Sequence, residues 1–162
     1  KRHDFETSFI TLSARVNEEM PFHVCRSVTD AIAHQPVALG DATVLILGVA
    51  FKANVGDTRH SPAGTVIRLL REKGGGTIRY HDPHVPSYSM PGANGGEAAE
   101  IPSVDLTPET LRTCDVAVIA TGHDAFDAGM IAEHAPQIVD TRNALDDVGE
   151  EHRHKIRLLG HG

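Results

Sequence analysis

The hydrophobic positions of this chain change their spacing near residue 38. From Glu6 to Ala33, residues Phe9, Ile10, Leu12, Val16, Met20, Val24, Val28 and Ile32 recur mostly three or four apart, the period of a helix with one apolar face. Pro21 falls inside this run. Because proline lacks an N–H and clashes with the preceding turn, the run predicts either a kinked helix or two helices meeting near Met20 and Pro21. The stretch QPVALGDA then breaks the pattern. The division is placed there, with a helical connector over 1–38 and an α/β domain over 39–162.

Beyond the division, short apolar runs alternate with amphipathic ones. TVLILG (43–48) is continuously apolar, as a strand covered on both faces should be. Ser61 and Pro62 read as N-cap and first residue of a helix whose buried stripe is Val66, Ile67 and Leu70, stopped at Gly74. TIRYHD (77–82) is a second strand. Three prolines and three glycines between Pro86 and Pro102 predict a surface loop. Thr107, Pro108 and Glu109 start another helix, followed by a strand at DVAVIA (115–120), a short helix near Asp127 to His134, a strand at QIVD (137–140) and a last strand at KIRLLG. Such alternation implies an α/β fold with an open, mostly parallel sheet sandwiched by helices, Rossmann-like, preceded by the helical connector. Ligands of these sheets bind beyond the carboxyl ends of the strands. That rule selects the loops at 49–60, 82–86, 121–126 and 141–145.

Composition narrows the function. The 162 residues are 40% hydrophobic and 23% charged, the makeup of one ordinary globular domain with a helical addition. A formal net charge of −7 argues against nucleic acid or a membrane surface as partner, since both select a basic face. No long apolar run or signal-like start occurs in the sequence, so a cytoplasmic setting is expected. Cys25 and Cys114 lie far apart among apolar neighbours and read as buried free thiols. Eleven histidines raise the question of a metal. His81 and His84 flank Asp82 and Pro83, and His152, His154 and His161 lie in a polar tail, without HExxH or paired cysteines, so no metal is expected.

What remains is the joint GVAFKANVGDTRHSP, longer than the usual two to six residues. It carries Lys52, Asp57 and Arg59, and the loop DTRN adds Arg142. Asp57 and Arg59 can simply pair with each other or cap the helix. Alternatively, three cations converge on one rim, an arrangement suited to a diphosphate, with lysine as a point charge and arginine as a planar fork. The joint has no GxGxxG, so this is not expected to be a main NAD-binding domain. No nucleophile elbow is present either, leaving binding groups without a reactive one.

The segments GVAFKANVGDTRHSPA, YHDPHVP, SVDLTPETL, DVAVIATGHDAFD and IVDTRNAL resemble the C-terminal domain of NAD-dependent nucleotide-sugar 6-dehydrogenases, the UDP-glucose and GDP-mannose dehydrogenase family. FITLSARVNEEMP is similar to the family's central helix, which joins its two halves and makes the dimer. The resemblance implies a C-terminal portion of an enzyme that oxidises a sugar C6 alcohol to a carboxylate by two hydride transfers to NAD, through a thiohemiacetal and thioester on a cysteine. Neither Cys25 nor Cys114 matches that cysteine, and the portion alone is expected to be inactive. By the same resemblance Phe51 and Lys52 contact the UDP moiety, Arg142 also contacts the nucleotide, and Arg59 reaches toward the NAD cofactor. Asp57, Ser61 and Pro62 shape the loop and cap the helix. The segments look closest to enzymes of UDP-N-acetylhexosamines, with UDP-glucose next. Gly56 departs from the acidic residue of many acetylhexosamine members.

The competing expectation is a stand-alone nucleotide-binding or interaction module without catalysis. A connector should leave apolar surface on the first helix, whereas a self-contained module should fold that helix onto its own core.

Overall fold

A computed structural model describes residues 8–159. Glu6 and Thr7 of the expected first helix, Gly160 of the expected last strand, and His161 lie outside the described residues. Helix α1 (Ser8–Ala33) runs as one element through Pro21, so the two-helix alternative is not realised. Strands β1 (Thr43–Leu47), β2 (Thr77–His81), β5 (Val116–Ile119), β6 (Ile138–Asp140) and β7 (Ile156–Leu158) form a five-stranded sheet in the order β2-β1-β5-β6-β7. Every pairing within it is parallel. The open parallel sheet read from the sequence is thus the observed one.

Alternation within each strand feeds two separate cores. In β1, Val44 and Ile46 join one core with Val24, Val28 and Ile32 of α1 and with Val66, Ile67 and Leu70 of α2 (Pro62–Glu72). Leu45 and Leu47 face the other core, with Leu111 of α3 (Pro108–Arg112) and Ile131 of α4 (Ala128–His134). Val116 and Val118 against Ala117 and Ile119 repeat the division in β5. Burial on both faces is why these strands read as unbroken apolar runs rather than alternating ones.

The helix starts follow the side chains at their caps. Ser61 Oγ accepts from the Ala63 N–H at 3.3 Å with Pro62 opening α2, Thr107 Oγ1 accepts from Thr110 N–H at 3.1 Å, and Asp127 Oδ1 accepts from Met130 N–H at 2.9 Å. Each satisfies a donor that the first turn leaves free.

The expected surface loop between Pro86 and Pro102 is a correction. Strands β3 (Ser87–Met90) and β4 (Ala99–Pro102) pair antiparallel as a ribbon, and Tyr88 and Met90 are buried. The Tyr88 ring meets Tyr80 edge-on with centroids 5.8 Å apart, and Tyr80 Oη donates to the carbonyls of Val85 and Ile101. The alternation Ser-Tyr-Ser-Met carried a strand's period of two, but four residues between prolines and glycines are outweighed by turn formers. Glu150–Lys155 forms a 3₁₀ helix before β7.

Helix α1 is divided along its length. Val24, Cys25, Val28, Ala31 and Ile32 are buried against the sheet, while Ile10, Leu12, Val16 and Phe22 are exposed. The buried apolar positions of α1 thus lie from Val24 onward, and the exposed ones between Ile10 and Phe22. None of the described helices is long and apolar enough to cross a membrane.

Candidate functional site

The sheet changes direction of growth between β1 and β5, since β2 lies on one side of β1 and β5, β6 and β7 on the other. The loops leaving β1, β5 and β6 open there into a cleft of about 530 Å³. Phe51, Lys52, His123, Asp124, Phe126 and Arg142 are among its lining residues. A crevice at such a switch point, beyond the carboxyl ends of parallel strands, is where the fold binds ligands.

Three of the four residues singled out in the sequence therefore meet. Phe51 is 46% exposed at the cleft mouth, and Lys52 Nζ lies 5.8 Å from its ring centroid, within cation–π range. Arg142 comes from the loop after β6, with its N–H on Asp140 Oδ1 at 2.9 Å and its Nε donating to the Ala120 carbonyl at 2.8 Å. The first fixes the loop backbone and the second orients the guanidinium. Arg59 does not line the cleft. Its Nε and Nη2 donate to the two oxygens of Asp57 at 2.9 and 2.8 Å, the local pairing that the sequence left open. The hydrogen bonds from Arg59 hold the Asp57 carboxyl at about 2. The cleft thus brings together two cations rather than three.

Phe51, Lys52 and Arg142 also border a second hollow, of about 810 Å³, on the α1 side, with Asn17, Pro21, His60 and Thr65 along its wall. The cationic pair stands between the two spaces. A negatively charged group entering from either side meets the same two side chains.

Buried polar residues that motif reading passed over fix these loops. The Asp82 side chain, fully enclosed, accepts from the N–H groups of Val49 at 2.8 Å, Ala50 at 3.0 Å and His84 at 2.9 Å, and from His123 Nε2 at 3.1 Å. Thr121 Oγ1 donates to the Ala50 carbonyl at 2.6 Å. Gly48, at φ 82°, brings the end of β1 so close to the β5 loop that an added Cβ would lie 2.5 Å from the Thr121 carbonyl oxygen. Asp140 receives the N–H groups of Arg142 and Leu145. The available signal was an aspartate at the carboxyl end of each of two strands, in HDP and VDT. His81 instead donates from Nδ1 to the Val104 carbonyl at 2.7 Å. Among the described residues, no group of three or more His, Cys, Asp or Glu side chains could hold a metal ion.

The β1–α2 joint does not fit a dinucleotide. A pyrophosphate needs a glycine-lined turn passing directly into a helix N-terminus. Here Gly48 is taken up by the contact with Thr121, thirteen residues separate it from Pro62, and the Ala63 amide is already capped by Ser61. Both thiols are buried and free. Burial raises the pKa of Cys25 and pushes that of Cys114 up to about 12, whereas a nucleophile needs the thiolate.

Burial opposes the charge on Asp82, but the amides of His84, Val49 and Ala50, together with the His123 ring, outweigh it and lower its pKa. A lowered folded pKa means that the stability Asp82 contributes is fully present above the unfolded value of about 3.9 and is lost as pH falls through the folded one. Urea unfolding of Asp82→Asn at neutral pH is expected to show a loss of about 1–3 kcal/mol, because an amide NH₂ strands buried donors. Between about pH 6 and pH 3 the wild type should lose more stability than this variant does. Equal acid losses in the two would contradict the assignment.

Residues 45–147 match the UDP-binding domain of the UDP-glucose/GDP-mannose dehydrogenase family. The UDP-N-acetyl-D-mannosamine dehydrogenase of Methanococcus maripaludis strain C7 is 31% identical over 163 aligned residues, covering 95% of this chain and 35% of that protein. The protein of the same name from Escherichia coli K12 is 26% identical over 125 residues, covering 75% of this chain and 28% of that one. Among solved structures, UDP-D-ManNAc dehydrogenase from Pyrococcus horikoshii superposes with a TM-score of 0.73 at 22% identity, over 98% of this chain and 35% of that one. The chain thus spans about a third of the length of these relatives. With residues 45–147 matching the family's UDP-binding domain and the same fold over nearly the whole chain, it belongs to the UDP-glucose/GDP-mannose dehydrogenase family.

Proposed function

We propose that the cleft beyond β1, β5 and β6 binds the UDP moiety of a nucleotide sugar. The observation that carries this reading is the convergence of Phe51, Lys52 and Arg142 on one cleft at the switch point of the sheet. A diphosphate brings two adjacent anionic groups, which a flexible lysine and an oriented arginine can share. The Phe51 ring offers a flat apolar face for the uridine. Arg142 is held at its Nε and backbone N–H, so both terminal nitrogens remain available to phosphate oxygens.

In the whole protein this binding serves an NAD-dependent oxidation of the sugar C6 alcohol to a carboxylate. The names of the relatives favour a UDP-N-acetylhexosamine as substrate, with UDP-glucose as the next choice. This chain's share is to seat the nucleotide. Its two cysteines are buried with raised pKa values and do not supply the thiolate, so the chain alone binds without oxidising. NAD is held mainly outside these residues, and to Arg59, exposed and carried on the same joint as Lys52, we assign the reach toward it. The setting we assign is the cytoplasm.

The division into a connector over 1–38 and a UDP-sugar-binding domain over 39–162 goes with this reading. So does a homodimer formed through the connector, supported by the exposed Ile10, Leu12, Val16 and Phe22 on α1. A stand-alone module would have little use for that exposed apolar row.

Calorimetric titration of the chain with UDP should give micromolar to millimolar affinity. Lys52→Ala and Arg142→Ala should each weaken binding by roughly tenfold or more, since a charge-assisted hydrogen bond is worth about 1.5–3 kcal/mol, and together they should abolish it. Undiminished affinity in the double variant would overturn the site. In sedimentation experiments the wild type should form dimers that dissociate when Leu12 and Val16 are both replaced by glutamate, and a monomeric wild type would remove the connector's proposed role.

A further inference from the structure

Every residue from Phe51 to Asp57 is exposed. An exposed loop of this length does not by itself hold a cation in one place. Its own closure is a single bond, from the Phe51 N–H to the Asp57 carbonyl at 2.7 Å. Beside that, three bonds tie it to the loop after β5, and all three converge on Asn54. The Asn54 N–H donates to His123 Nδ1 at 3.0 Å, its Nδ2 donates to Asp124 Oδ2 at 2.8 Å, and its Oδ1 accepts from the Asp124 N–H at 3.1 Å. Asn54 stands at φ 61°, in the left-handed region that asparagine tolerates better than most residues.

The His123 ring is buried against this contact. It lies edge-on to Phe126 with centroids 5.3 Å apart and is only 4% exposed. A backbone N–H can only donate, so Nδ1 presents its lone pair to Asn54 and Nε2 carries the proton to Asp82. Both ring nitrogens are engaged, which leaves His123 no free nitrogen for acid–base work.

We propose that His123 is a positioning residue for the nucleotide site. Asp82 sets its tautomer, and the ring, together with Asn54 and Asp124, latches the Phe51–Lys52 loop onto the loop after β5. This rests on the UDP reading above. Opening the latch releases Lys52, two residues from Asn54, while Arg142 keeps its separate ties to Ala120 and Asp140. Loss of the latch therefore acts on the lysine's contribution to binding and leaves the arginine's intact.

The substitutions separate the two ring contacts. In His123→Asn, Oδ1 takes the place of Nδ1 and can still accept from Asn54. In His123→Gln, the amide reaches toward Asp82 and leaves the Asn54 N–H without its acceptor. Two measurements on the same chain decide the matter: hydrogen exchange of the Asn54 amide without ligand, and UDP affinity by calorimetry. His123→Gln should lose Asn54 protection and about tenfold in affinity, the equivalent of roughly one to two hydrogen bonds, whereas His123→Asn should keep most of both. The losses from His123→Gln and Lys52→Ala should fall short of adding, and those from His123→Gln and Arg142→Ala should add. Asn54→Gly suits the backbone at that position, leaves the core untouched and removes two of the three bonds, so it too should weaken UDP binding. Wild-type protection and affinity in His123→Gln, equal losses in His123→Asn and His123→Gln, or unchanged affinity in Asn54→Gly would overturn the latch. A wild-type chain that takes up no UDP overturns the ligand reading instead, and the exchange data then decide the latch alone.

Discussion

The Asp82 carboxylate, sealed at the carboxyl end of β2, is the point through which the upper edge of this sheet is assembled. A buried carboxylate is costly unless its oxygens are met by donors. Here the donors come from three places: the backbone leaving β1 at Val49 and Ala50, the turn at His84, and the ring of His123 after β5. Satisfying one charge therefore fixes the relative positions of three loops. The cleft lies where two of these loops meet the loop after β6, which a second buried aspartate, Asp140, shapes in the same manner.

This arrangement accounts for how an acidic chain presents a cationic site. The net charge of −7 is a property of the whole chain, while the two cations at the cleft are held locally. The Arg142 side chain is oriented by its bond to the Ala120 carbonyl on a backbone anchored by Asp140, and Lys52 by the loop on which it sits. Preorganisation of this kind lowers the cost of ordering side chains when a ligand arrives. Arg59 shows the contrast: drawn into a two-bond pair with Asp57, it stabilises the loop's own shape and stands outside the cleft. Any contact it makes with a cofactor has to compete with that pair.

Much of the fold was legible because burial on both faces writes unbroken apolar runs, as in TVLIL, and because Ser61-Pro62 and Thr107-Pro108 mark helix starts with residues whose chemistry caps them. The β3–β4 ribbon was not legible, since two short alternating segments lie among prolines and glycines and gain their burial from Tyr80, distant in sequence. At the cleft, Lys52 and Arg142 stand out as charges at strand ends, and Phe51 through a family likeness alone. Asp82, His123 and Asp140 escaped notice because their role exists only once the strands are adjacent. Asn54 lies 69 residues from the His123 that it meets, and no local pattern could have paired them.

The central claim is that UDP occupies the cleft between the loops after β1, β5 and β6. Titrating isotopically labelled chain with UDP and following its amide resonances tests this directly. The account predicts that the perturbed amides cluster at residues 51–54, 121–126 and 141–145, with β7 and the β3–β4 ribbon unmoved. Perturbations centred on the hollow beside α1 and α2, with the residues after β5 silent, would contradict it.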